Sequence, residues 1–548
     1  MTSGLASGGV DGDDVVALEF ELVLELVGEG AATGPVTLEE VQAMPARTRT
    51  SVSGRRDEGK ARTDIDASST SVDLRGLTHE DVVMSRRAWR AAPALILLVA
   101  AACTSSSTAA PLPSATGAAT SPSAVGHAPR IRGAWPTYHG DPARSGVAAG
   151  PPLGDVGHAW TSPTLDGDVY AEPLVVGRLL VAATENDTVY ALDARTGRVV
   201  WHAHVGEPVQ SSTLPCGNIA PVSGITATPV IDARAGLIYA AAFLSPARHE
   251  LFALRLGSGA VAWHRPIDPP GMDPTTQQLR SALTLAGGRV TVAYGGLFGD
   301  CGSYHGWVAS VAADGSGPLI DYRAPTVNAG GIWAPSGPAV GADGTLYVTT
   351  GNSFSDTFDH GDSVIALSPS LQELGFFAPT DWRDLNAGDV DLGSVGPAVL
   401  PGDRIFQIGK GGVGYLLDAT DLGGIGGELA SAQVCDTAAF GATAHDGDTV
   451  YVPCGDGLAA VSVAGDHLAV AWRSERFDAG PPIVAGGIVW TVDLGNPALV
   501  GLDPNGGAER VRIELDDASH FASPSSAPGC VFVPTRETVT AFCLPGAS

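Results

Sequence analysis

The 548-residue chain has almost no lysine: Lys60 and Lys410 are the only two. Against 59 acidic residues stand 31 basic ones, giving a formal charge of −28. That deficit excludes nucleic acid as a partner, because phosphate binding needs a basic surface. No Cys-x-x-Cys or Cys/His spacing suited to zinc occurs, nor a Cys-x-x-Cys-His that would attach a haem. Apolar runs are short. Ala91–Ala102 spans only 12 residues, against the roughly 20 that an α-helix needs to cross a bilayer.

What is present is turn chemistry around short hydrophobic strands. There are 71 Gly and 39 Pro, and stretches of Val, Ala, Leu and Ile are cut into pieces by turn residues. With 44% apolar residues the chain can bury a large core, and one all-β body is expected rather than several domains. The seven cysteines divide in two groups. Cys103 stands alone after the apolar run, while Cys216, Cys301, Cys435, Cys454, Cys530 and Cys543 fall in the body. An even count in an exported protein reads as disulfides. The preferred pairs are Cys435–Cys454 and Cys530–Cys543, each short-range within one repeat, which leaves Cys216–Cys301 between loops.

The apolar run follows a basic stretch (Arg86, Arg87, Arg90) and ends in small residues before Cys103. This resembles the lipobox of bacterial lipoproteins, in which the cysteine becomes the lipidated first residue of the mature chain. A cleaved signal is therefore expected over 84–103, then a Ser/Thr/Pro/Ala-rich tether over 104–128. The protein would sit at the extracytoplasmic face of the cell membrane, held by the lipid anchor only. Residues 1–83 have no place ahead of a secretory signal. Leu18–Val27 alternates apolar and acidic residues, but nothing nearby would pair with it as a strand. We read 1–83 as a disordered, non-native extension and Met84 as the true start.

From residue 129 onward the chain repeats itself. The clearest unit is VYALDARTGRVVW (Val189–Trp201), with weaker copies from Leu251, Trp307, Ser363, Gly414, Leu458, Leu499 and Thr538. Their central residues (Ala191, Ala253, Ala309, Ala366, Leu416, Ala460, Gly501 and Ala541) make eight, with spacings falling from 62 to 40 residues. Short strands at such a period are propeller blades, which bury their faces only by stacking radially. The fold class expected is all-β, an eight-bladed β-propeller over 129–548. The last unit lacks one strand, which His158–Thr161 can supply from the N-terminal side. Trp201 and Trp263 recur at blade spacing and read as blade docking.

The repeat resembles that of the pyrroloquinoline-quinone (PQQ) repeat propellers, and WPTYHGDPARSG (Trp135–Gly146) is similar to the opening motif of that family. The family includes quinoprotein dehydrogenases as well as lipoproteins without cofactor. In the enzymes a quinone lies over a Trp beside calcium, with an Asp as general base. By resemblance, Trp333 would be the cofactor platform, Lys410 the residue on the quinone oxygens, and Asn352 a calcium ligand, with Asp300 near the place of another. The usual His-Asp pair is absent from Leu385–Asp391. Asn386 cannot act as a base, which leaves Asp389 or Asp391 for catalysis. No adjacent cysteine pair is present to cap a quinone.

Two readings follow. One is an exported propeller that binds a small molecule or a cell-surface protein or glycan. The alternative is a PQQ- and calcium-dependent oxidoreductase acting on an alcohol or sugar.

Overall fold

The computed structural model describes residues 133–547. The expected signal, tether, N-terminal extension and lipidation at Cys103 lie outside them. Among the described residues no helix is long and apolar enough to cross a membrane.

Eight antiparallel sheets form the blades of a propeller. Their innermost strands are Leu174–Val176, Val230–Asp232, Thr284–Ala286, Ala339–Val340, Ala398–Leu400, Ala444–Asp446, Ile483–Ala485 and Ser525–Ala527. All eight repeat anchors fall on the third strand of a blade, as the shared register of a repeated sheet requires. Burial follows position in the blade. The second strand of blade 7, Ile488–Asp493, is buried at every residue because neighbouring blades cover both its faces. Outermost strands such as Val199–His204 and Leu468–Arg473 alternate between more and less exposed positions, with one face in water. Gly157–Thr161 pairs with Thr538–Cys543 and completes blade 8, so the chain's two ends close the ring.

Tryptophans dock one blade on the next. Trp160, Trp201 and Trp472 lie against the turn glycines Gly197, Gly259 and Gly507 of the following blade. Their indole N–H groups donate to Ala194 O, Leu256 O and Pro504 O at 3.2, 3.0 and 2.9 Å. Trp263 packs on Gly315 as well, but its buried indole N–H has no partner among the described residues.

The cysteines pair as expected: Cys216–Cys301, Cys435–Cys454 and Cys530–Cys543. The last lies within blade 8, between directly opposed strand residues. Cys435, however, follows the last strand of blade 5, so its bridge ties that connection to blade 6. It does not stay within one blade, because the anchor spacing alone does not locate where one blade hands over to the next.

The opening motif forms a strap across the inner strands. Trp135 exchanges backbone hydrogen bonds with Val175 of blade 1, and Pro136 O accepts from Ile231 of blade 2. Pro142, Ala143, Ser145 and Gly146 carbonyls accept from Val340, Val399, His445 and Val484, in blades 4 to 7. Arg144 serves blade 3, with Nη2 donating to Thr284 Oγ1 at 2.6 Å and Leu283 O at 3.3 Å. Ser523, at the start of blade 8, meets His139 Nε2 at 3.3 Å. Buried Glu172 accepts from Trp135 Nε1 (2.5 Å) and from the His139 backbone N–H (2.9 Å). One short segment thus bonds to every blade and closes one end of the axis.

Candidate functional site on the propeller axis

Beyond the strap, the residues leading into the inner strands converge. Tyr170, Thr226, Pro335 and Phe440 stand five positions ahead of Val175, Ile231, Val340 and His445, the strap contacts in their blades. Arg280 leads into blade 3 and Phe521 into blade 8. Tyr170, Asn218, Thr226, Arg280, His520 and Phe521 line a cavity of about 60 Å³.

Arg280 dominates this pocket. Among the described residues it makes no hydrogen bond or ion pair, and its buried Nε has no partner. Its guanidinium lies 5.7 Å from the centre of the Trp333 ring, a cation–π contact. Trp333 in turn meets Phe521 at 6.4 Å, and Phe521 meets Phe440 at 6.1 Å. Burial lowers the pKa of Arg280, while the nearby charges of Glu185 and Asp300 oppose that shift. Glu185 accepts the Gly224 N–H at 2.7 Å through Oε2, and its buried Oε1 has no hydrogen-bond partner. Burial pushes the Glu185 carboxyl up to about 7. Its neighbour Asp187 is pushed to about 9, by burial and then by Glu185.

Beside Trp333 lies a second polar cluster. A side chain at Gly351 would collide with Asp391 Oδ1 and stand 3.1 Å from Trp333 Nε1, so glycine alone lets these two groups approach. Asp391 is buried; its Oδ1 accepts the Asn352 backbone N–H at 2.8 Å and its Oδ2 pairs with Lys410 Nζ at 2.6 Å. Lys410 also meets Asp389 Oδ1 at 3.2 Å and Asp389 O at 3.1 Å. Burial raises the Asp391 pKa against the pull of Lys410. Burial works to lower the Lys410 ammonium, but Asp391 and Asp389 outweigh it and raise its pKa. Asp389 caps the short helix Trp382–Gly388 in a left-handed conformation, its side chain 68% exposed. Asn386 of that helix accepts the Ser353 N–H at 2.8 Å and so positions the turn that carries Asn352.

Of the residues singled out from sequence, Trp333, Asn352, Asp391 and Lys410 therefore meet in one place, with Asp389 at its edge. Asp300 accepts from the Tyr304 hydroxyl at 2.6 Å, and its charge acts on both Tyr304 and Arg280. Tyr170, Arg280, Tyr304 and Phe521 were missed. Tyr170, Arg280 and Phe521 lie ahead of inner strands only two or three residues long, outside the repeat's anchor strands.

Comparison with known proteins accords with this geometry. The family model described as outer membrane protein assembly factor BamB matches residues 157–297. The body is a β-propeller of the PQQ-repeat type. Quinohemoprotein alcohol dehydrogenase from Comamonas testosteroni shares the fold of this PQQ-repeat propeller with a TM-score of 0.58 at 16% identity. That match covers 76% of this chain and 82% of the other. Quinohemoprotein alcohol dehydrogenase ADHIIG from Pseudomonas putida HK5 matches at 0.60 and 14%, over 76% and 81%. A europium-containing methanol dehydrogenase matches at 0.59 and 13%, over 76% and 99%. At these identities the likeness is one of fold. No curated protein matches the sequence.

By resemblance to the quinoprotein propellers, a calcium ion and a quinone would belong beside Trp333. A hard cation needs several oxygen ligands with free lone pairs. Here both Asp391 oxygens already take protein donors, one of them the Lys410 ammonium, and Asp300 Oδ1 takes Tyr304. No group of three His, Cys, Asp or Glu residues placed to hold a metal occurs among the described residues. Arg280 lies over the Trp333 ring where a quinone platform would have to be open. As the side chains stand, Lys410 occupies Asp391 and Arg280 covers Trp333, so a calcium–quinone pair would require both to shift. Lys410 supplies beside Asp391 the positive charge that a metal would supply.

Proposed function

We propose that the protein is an exported, lipid-anchored propeller that binds a small organic ligand in its axial pocket, at the extracytoplasmic face of the membrane. The observation that carries this reading is Arg280, a half-buried guanidinium with no acceptor among the described residues, lining a pocket whose other groups are aromatic, aliphatic, amide and hydroxyl. A few convergent polar groups in an apolar concavity are the usual make-up of a ligand site. The strap favours the same reading, since it closes one end of the axis and leaves the opposite end for access. Export and anchoring rest on the signal-like segment ending at Cys103.

The dehydrogenase reading draws on the meeting of Trp333, Asp391 and Lys410, and one titration separates the two. Purified protein is titrated with PQQ, with and without calcium, following tryptophan fluorescence and cofactor absorbance. The binding-module reading expects no calcium-dependent saturation, and expects thermal-shift hits from a metabolite library that vanish in Phe521→Ala. Calcium-dependent saturation lost in Trp333→Ala would replace it with the oxidoreductase. A library without any Phe521-dependent hit would remove the axial ligand altogether.

A further inference from the structure

From Arg280 and its surroundings we infer that the pocket's ligand is a flat organic monocarboxylate whose carboxylate is held by the Arg280 guanidinium. The inference deepens the axial-ligand reading and rests on it. Three observations set the chemistry.

The first is the unused donors. A guanidinium presents a planar fork that matches a carboxylate with two parallel hydrogen bonds. Leaving such a group buried and unpaired is costly, and proteins ordinarily supply a partner. At the strap end Arg144 shows what folding does when it supplies them: Nη1 donates to Thr137 Oγ1 and Tyr138 O, and Nη2 to Leu283 O and Thr284 Oγ1. Arg280 has no such set. Trp333 holds the guanidinium from beneath, so its fork stays in the pocket.

The second is the surrounding charge. Glu185 and Asp300 act on Arg280, and Asp391 and Asp389 lie near enough to act on Tyr304. A dianion such as phosphate would bring a second negative charge into this acidic ring with no second free cation beside it among the described residues, since Lys410 is taken by two aspartates. One negative charge on the ligand matches one unpaired positive charge.

The third is the wall. Phe521 and Tyr170 offer ring faces, Thr226 and Pro335 close the pocket at depth, and Asn218 and His520 stand at its exposed edge. Ring faces favour a planar apolar body; about 60 Å³ encloses only its carboxylate end, the rest lying at the exposed edge beside Asn218 and His520.

The test uses the full chain and two probes of nearly equal shape, benzoate and its neutral analogue benzamide, followed by ligand-observed NMR titration. Saturable benzoate binding is expected, with benzamide at least about tenfold weaker. Arg280→Met should lose benzoate binding by a similar factor with an unchanged thermal midpoint. Arg280→Lys, which keeps the charge without the fork, should fall in between; it also serves if the methionine variant folds poorly. Equal binding of the two probes, or benzoate binding indifferent to Arg280, would overturn the carboxylate assignment. So would inorganic phosphate displacing benzoate at lower concentration, or no saturable benzoate signal at all. Benzamide binding that depends on Phe521 but not on Arg280 would sink this inference while leaving an axial ligand site in place.

Discussion

Two arginines, buried Arg144 at the strap and half-buried Arg280 in the pocket, differ in how far the fold supplies their hydrogen-bond partners. Arg144 spends both terminal nitrogens on the strap and blade 3, four hydrogen bonds in all. Arg280 makes none with the described residues and faces a cavity. Burial lowers the pKa of both. At the strap the fold recovers the cost of burial within itself. At the pocket it does not, and a charge left uncompensated by folding is where an outside partner gains most.

The comparison can be broken by experiment, beginning with the largest effect. Arg144→Met leaves Leu283 O and the hydroxyls of Thr137 and Thr284 without their donor, and should cost about 3–5 kcal/mol in chemical denaturation. A loss below about 1 kcal/mol would mean that the strap does not hold the blades together. Asp391→Asn is expected to cost about 2–3 kcal/mol, because half-buried Lys410 loses the nearer of its two carboxylate partners and buried Asp391 its charge. The same variant with unchanged stability would show the ion pair to be solvated in solution.

A pH series sharpens the picture of the pocket. Glu185 is pushed up to about 7 in the folded protein from an ordinary value of 4.5, with burial as the main cause. Between those values the folded state holds a proton that the unfolded state has released, so stability falls as pH rises from 4.5 to 7. Its share of the slope is about 1.4 kcal/mol per pH unit. Denaturation midpoints measured across this window should show that share removed in Glu185→Gln, and an unaltered slope would reject the assignment. The smallest effect is expected from Arg280→Met, within about 1 kcal/mol of the parent and in either direction. Destabilisation as large as that of Arg144→Met would erase the contrast between the two ends.

Much of the architecture was legible from residue order alone. Eight anchors from Ala191 to Ala541 marked the third strand of every blade, because a repeated sheet repeats its buried positions. The closing strand at His158–Thr161 and the docking role of Trp201 and Trp263 were also readable, since each sits at a fixed offset from an anchor. The site was legible in part. Trp333, Asn352, Asp391 and Lys410 were found through motif resemblance, and the fold brings them together. Arg280 and Phe521 carried no local signature, for the inner strands are two or three residues long and too short to show a period.

The sequence by itself thus determined the number of blades and the class of fold, both of which depend on spacing along the chain. Only the tertiary structure decided what lies on the axis. Closing eight blades into a ring makes neighbours of residues hundreds of positions apart, such as Tyr170, Arg280 and Phe521. It likewise turns WPTYHGDPARSG from a motif into a strap bonded to every blade. Whether a buried cation is paired depends on which acceptors that closure brings within about 3 Å, and no order of residues along the chain contains that distance.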